Sequence, residues 1–169
     1  AARAAFEAGW EQVKLYFMIG LPFEALEDVE GIADLTFKVL ALGREVAAGK
    51  GRPPSRIRIN VSVGTLIPKP HTPFQWLGLE RSEITEGKKA RLRGLMKAKG
   101  ITLSLSDAFT SKLEAVLSRG TRTMAGVITR AYELGARCDG WGVCIMPGYW
   151  IKAMEEAGMD MDTEAERGF

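Results

Sequence analysis

Apolar and polar residues alternate strictly in two stretches of the first half of the chain. Val13, Leu15, Phe17 and Ile19 interleave with Lys14, Tyr16, Met18 and Gly20, which predicts a strand over residues 12–19. Ile57, Ile59, Val61 and Val63 interleave with Arg58, Asn60 and Ser62, which predicts a second strand over 57–63. Between them the period changes to that of a helix. Val29, Ile32, Leu35, Val39 and Leu42 form an apolar stripe across residues 26–47, and Glu24, Glu27 and Asp28 suit its positive N-terminal end. GKGRPPS, residues 49–55, closes the helix with a surface loop. Strand, crossover helix, strand is a βαβ unit, so the two strands should be parallel and the fold class α/β.

The flanking sequence adds helices. Residues 2–8 read as a helix stopped by Gly9. Residues 83–99 read as another, with Ile84, Leu92, Leu95 and Met96 as its apolar face. The basic run GKKARLR, residues 87–93, is assigned to the solvated side of that helix. Residues 101–105 alternate as a third strand. Asp107 caps a helix to Arg119, Thr121 caps one to Leu134, and Pro147 opens a last one through Ala157. The tail MDMDTEAERGF lacks apolar periodicity and is expected to fray. The expected organisation is βα units over residues 1–78, an α-rich extension with one strand over 79–158, and a flexible tail over 159–169.

Both predicted strands run into stiff loops. GLPFE, Gly20 to Glu24, places a residue without a side chain and then Pro22 at a strand end, where a flat ligand can approach the backbone. PKPHTPF, Pro68 to Phe74, holds His71 and Thr72 between prolines that restrict their own φ and the residue before each. His71 is the weak candidate for catalysis, as a proton donor or a metal ligand, against the more usual role of a lone loop histidine as a turn residue bonded to backbone. Ligands of open α/β sheets collect at this C-terminal edge. There the more polar strand face of Tyr16, Asn60 and Ser62 would meet them.

Composition narrows the picture. The 23 Lys+Arg against 21 Asp+Glu give a net charge of +2, which argues against nucleic acid or an anionic membrane as partner. No apolar run approaches the ~20 residues of a membrane span. With no secretory signal pattern at the start, a cytoplasmic setting is expected, with Cys138 and Cys144 as buried free thiols. The spacing of these two cysteines fits no zinc signature, and one histidine cannot build a metal site alone. No Walker loop, G-x-G-x-x-G or Ser/His/Asp order is present. The chain opens on AARAAFEAGW, already in a helical pattern, and is expected to be a fragment of a larger fold.

Three segments carry a resemblance. AFEAGWEQVKLYFMIGLPFE, INVSVGTLIPKPHTPFQW and LEAVLSRGTRTMAGVITRAYELGARCDGW resemble the C-terminal half of the radical SAM core in cobalamin-binding radical SAM proteins. The resemblance implies the C-terminal part of a partial (β/α)6 TIM-like barrel, in which the two strands are the fifth and sixth. It implies S-adenosylmethionine and a [4Fe–4S] cluster as cofactors of the parent protein, with cobalamin as a further one. Gly20, Leu21, Pro22, Ser62, Leu66 and Pro68 would line the adenosine side, and His71 would face the substrate. The implied partners are the N-terminal barrel half, the cobalamin domain and a companion domain. The family's C-x3-C-x2-C cluster loop has no counterpart in this sequence. The chain alone is therefore expected to be inactive and to form one wall of the cofactor site. The alternative is a non-catalytic α/β binding or interaction module that lacks the cluster.

Overall fold

A computed structural model describes residues 1–137 and 144–168. It contains α1 (Ala2–Glu7), β1 (Gln12–Ile19), α2 (Leu26–Gly49), β2 (Arg58–Thr65), α3 (Ser82–Leu95), β3 (Ile101–Leu105), α4 (Ala108–Arg119), α5 (Met124–Leu134), α6 (Pro147–Glu156) and α7 (Met161–Glu166). The three strands form an open parallel sheet in the order β1-β2-β3, which makes this an α/β protein. The chain divides into two compact units that interleave in sequence. The first comprises Ala1–Thr65 and Ser82–Ser106; the second comprises Leu66–Arg81 and Asp107–Phe169. β3 therefore belongs with the sheet, although the sequence division assigns it to the helical extension.

In the first unit, Ile59, Val61 and Val63 of β2 are all but fully buried, as is Ile19 of β1. They pack with Val29, Ile32, Ala33, Val39 and Leu40 of α2 and with Leu92 of α3. The stripe predicted for α2 is realised with one exception: Leu35 is exposed, and Thr36 is buried beside it. Thr36 tolerates this because its hydroxyl donates to the Ile32 carbonyl (2.8 Å), so no polar group is left unpaired. Gly43 marks the closest approach on α2. A methyl group there would come within 2.8 Å of both Ile57 and the Phe6 ring, so the small residue lets α1 and the start of β2 meet the helix.

The opposite face of the sheet is bare. Register sets Lys14 beside Asn60 and Thr102, and Tyr16 beside Ser62 and Ser104; Met18 faces Gly64. Tyr16 is 71% exposed and Met18 48%, whereas parallel sheets are normally covered on both faces.

The second unit is held by its own core of Leu79, Leu113, Val116, Met124, Val127, Trp150, Met154 and Met161. The segment before α3 enters this core, where the Leu79 N–H donates to the Ala165 carbonyl (2.9 Å). The tail is not frayed. Asp160 caps α7 by accepting from the Thr163 N–H (2.8 Å) and hydroxyl (2.7 Å), and Met161 and Ala165 are buried. Two buried positions four apart were too short a signal to register as a helix. Cys144 is exposed, against the expectation of a buried thiol, because it sits in the turn ahead of α6. Cys138 lies outside the described residues.

Two measurements follow from this unit. A Cβ at Gly78 would collide with the Glu166 carbonyl oxygen, which is backbone and cannot rotate away. Gly78→Ala should therefore lower stability by about 2 kcal/mol, as overpacking does, and urea denaturation will read it. The Thr163 hydrogen bonds, the backbone bond first, hold the Asp160 carboxyl below its ordinary pKa. A carboxylate depressed in the folded state stabilises above the unfolded value, ~3.9, and loses that contribution as pH falls through the folded one. The Thr163 amide resonance should thus titrate with a midpoint below the ordinary aspartate value, and Asp160→Asn should remove the titration.

Candidate functional site

At the C-terminal ends of the three strands, in the first unit, two sets of polar contacts are anchored by adjacent residues of α3. β1 ends at Ile19 and is followed by Gly20, whose φ of 85° is open to glycine at no steric cost. The chain then turns through Leu21 and Pro22 to Phe23, which also has a left-handed φ of 63°. A bulky residue there stores strain on the order of 1–3 kcal/mol, and its side chain is entirely exposed, so no packing of the ring offsets it. The turn closes when the Glu24 N–H donates to the Leu21 carbonyl (3.2 Å). The Glu24 carboxylate folds back, and its Oε2 accepts the Gly20 N–H at 2.9 Å.

That carboxylate is paired. Lys88 Nζ of α3 donates to the same oxygen at 2.6 Å, with side-chain exposures of 8% for Lys88 and 6% for Glu24. The next residue, Lys89, is 1% exposed. Its Nζ donates to the Ser106 carbonyl just past β3 (2.8 Å) and to Glu86 (3.0 Å). The Ser106 hydroxyl accepts the Thr65 N–H at the end of β2 (3.1 Å) and lies 2.9 Å from the Thr65 hydroxyl. Two consecutive lysines thus tie α3 to β1 and to β3, and Ser106 carries the network to β2. An open groove lined by Leu26, Glu83, Ile84, Gly87 and Arg91 runs beside the Glu24–Lys88 pair.

This network overturns the assignment of GKKARLR to a solvated face. Lys88 and Lys89 are buried, and Ile84, expected to be buried, is 47% exposed. The signal was present: Leu92 and Met96 extend backwards through Lys89, Lys88 and Thr85 at helical spacing. Charge outweighed periodicity in the sequence reading. Lysine is almost never fully buried unless paired, and sequence alone does not reveal Glu24 or the Ser106 carbonyl as partners.

The residues singled out from sequence are divided between the units. Gly20, Leu21 and Pro22 form the turn itself, with Leu21 37% exposed. Ser62 stands on the bare sheet face, in register with Tyr16 and Ser104. Leu66, Pro68 and His71 belong to the second unit, where Leu66 and Pro68 are buried. His71 is exposed with a left-handed φ of 62°, and its N–H donates to the Gln75 side chain (3.0 Å). Thr72 donates to the Lys69 carbonyl (2.7 Å), so this loop is pinned by its own bonds. Among the described residues, no three His, Cys, Asp or Glu side chains gather to hold a metal ion. No described helix is long and apolar enough to cross a membrane.

The chain is 31% identical over 118 residues to "Uncharacterized protein MJ0966" of Methanocaldococcus jannaschii. That match covers 69% of this chain and 23% of the relative, so the chain spans under a quarter of that protein's length. No family model matches the chain, and no solved structure matches it.

The importance of the network can be measured directly. Ser106→Ala strips the Thr65 N–H of its acceptor in a partly buried setting. It should cost about 1–2 kcal/mol, the penalty of an unsatisfied donor. Equilibrium denaturation will give the value, and faster amide exchange at Thr65 will localise it.

Proposed function

We propose that this chain is the C-terminal part of a radical SAM barrel and supplies one wall of an S-adenosylmethionine site. The observation that carries the reading is the combination of a parallel sheet bare on its polar face with a glycine turn rigidly held at its C-terminal edge. A face on which Tyr16 is exposed and Asn60, Ser62 and Gly64 are only half-buried is what a barrel lumen requires of its strands, and it is unusual for an isolated parallel sheet. A Cβ at Gly64 would meet only the Phe17 carbonyl oxygen, at 4.0 Å, so a ligand can reach the backbone of β2.

The cofactors fit this chain unequally. The turn at Gly20 and the polar face suit the flat, hydrogen-bonding adenosyl group. The cluster has no ligand set here: the sequence lacks the C-x3-C-x2-C loop, and its two cysteines do not replace it. When bound in the parent, the cofactors would supply reductive cleavage of S-adenosylmethionine or methyl transfer. The residues present here would orient the adenosyl end and exclude water from one side. In this reading β1 and β2 are the fifth and sixth strands of a partial (β/α)6 barrel, and the preceding strands and a cobalamin domain complete the site.

A second reading is favoured by a different observation. β1 is an eight-residue edge strand whose outer edge has no strand partner among the described residues. Such edges invite pairing with another chain. A non-catalytic interaction module would use it that way.

Two measurements decide between the readings. The gene upstream of Ala1 should encode an in-frame C-x3-C-x2-C motif; a start codon close to Ala1 would leave the interaction module. In the longer protein, Gly20→Val should abolish S-adenosylmethionine binding, because a branched side chain is strained at this φ and obstructs the backbone. Unchanged affinity in an anaerobic titration would rule out the turn as part of the site.

A further inference from the structure

The turn after β1 contains two left-handed residues within four positions, and one of them is a phenylalanine with no packing around its ring. Local sequence does not favour that shape, so something outside the turn must hold it. Within the turn, the Glu24 N–H bond to Leu21 closes the backbone, and the Glu24 carboxylate secures the Gly20 N–H. A carboxylate on its own would swing to water, where it is better solvated. Here it stays almost completely buried because the Lys88 ammonium, 64 residues further along the chain, meets the same oxygen at 2.6 Å.

We infer that Lys88 is a positioning residue: acting through Glu24, it holds the Gly20–Phe23 turn in the single shape that presents the end of β1 to a ligand. The inference rests on the reading of this edge as an adenosyl-ligand site, but its mechanical part stands on the geometry. Buried pairs of this kind are weak sources of stability, because desolvation cancels much of the attraction. Their best-supported use is to specify one arrangement among several, and a strained turn needs that. Lys88 need not touch the ligand. Its effect arrives through one carboxylate oxygen shared between an ammonium group and a backbone amide.

The test reads amide exchange in the full 169-residue chain and ligand binding in the longer protein that holds the whole site. Lys88→Met alone leaves a buried carboxylate unpaired and risks misfolding. Lys88→Met with Glu24→Gln removes both charges and keeps a neutral acceptor for Gly20, and Glu24→Gln alone, with Lys88 in place, measures what the weaker acceptor costs by itself, so that only the additional loosening of the double variant reports the loss of Lys88. Lys88→Arg retains the charge. Amide exchange at Gly20 should accelerate about tenfold or more in the double variant over Glu24→Gln alone, local opening being what exchange reads, with little change in melting temperature. Lys88→Arg should restore most of the protection. Affinity for S-adenosylhomocysteine, followed by ligand-observed NMR, should fall with it.

Gly20 exchange in the double variant no faster than in Glu24→Gln alone overturns the inference. Faster exchange with undiminished S-adenosylhomocysteine binding also overturns it, because the turn would then be held for no ligand. If the parent chain binds no S-adenosylhomocysteine, the adenosyl reading fails by itself, and the exchange measurement alone decides whether Lys88 sets the turn.

Discussion

Consecutive lysines on α3 organise the C-terminal edge of the sheet. A parallel sheet ends with backbone groups that have passed the last rung of the ladder and still need partners. Here they are satisfied from one helix. Lys88 reaches the end of β1 through Glu24, Lys89 reaches the end of β3 at Ser106, and Ser106 in turn satisfies Thr65 at the end of β2. Because neighbouring residues on a helix point about 100° apart, the two ammonium groups diverge and fix α3 in rotation as well as position. Sliding or turning the helix would strand two charges in a region with little water. Core packing through Leu92 and Met96 brings α3 to the sheet, and the lysines give it one orientation there.

The same sheet is asymmetric in cover. Its apolar face is closed by α2 and α3, tightly enough that Gly43 leaves no room for a methyl group. Its other face carries Lys14, Tyr16, Asn60 and Ser62 towards solvent, with Lys14 Nζ 4.8 Å from the centre of the Tyr16 ring. A surface this polar does not demand burial as an exposed apolar sheet would. It suits contacts that are made and broken, whether with a small ligand or with another layer of polypeptide.

The elements were largely legible, because period carries secondary structure. The βαβ unit, the third strand at Ile101–Leu105 and the Asp107-capped helix all follow from alternation, stripes and caps. The edge network was not legible, and for a physical reason. Lys88 and Lys89 occupy positions that periodicity marks as buried, yet charge marks them as exposed; the conflict resolves only once their partners are known. Those partners lie 64 and 17 residues away, at strand ends that the fold alone brings together. The final helix was missed for the opposite reason: α7 has six residues and only Met161 and Ala165 to bury, too few for a pattern. The turn at Gly20 was singled out by its glycine and proline, but the left-handed backbone of Phe23 had no mark in the sequence.

The interleaving of the two units has a consequence for synthesis. As the chain emerges from its N-terminus, everything the first unit needs is present once Ser106 has been made, so its sheet can close early. Residues 66–81 have by then already been made, but they belong to the second unit, and the Leu79 N–H finds its acceptor only at Ala165. For the time it takes to add the intervening residues, that segment hangs between β2 and α3 as an unsatisfied apolar strap. It is a period in which a nascent chain would be exposed to wrong partners, and it ends only when the last helix folds.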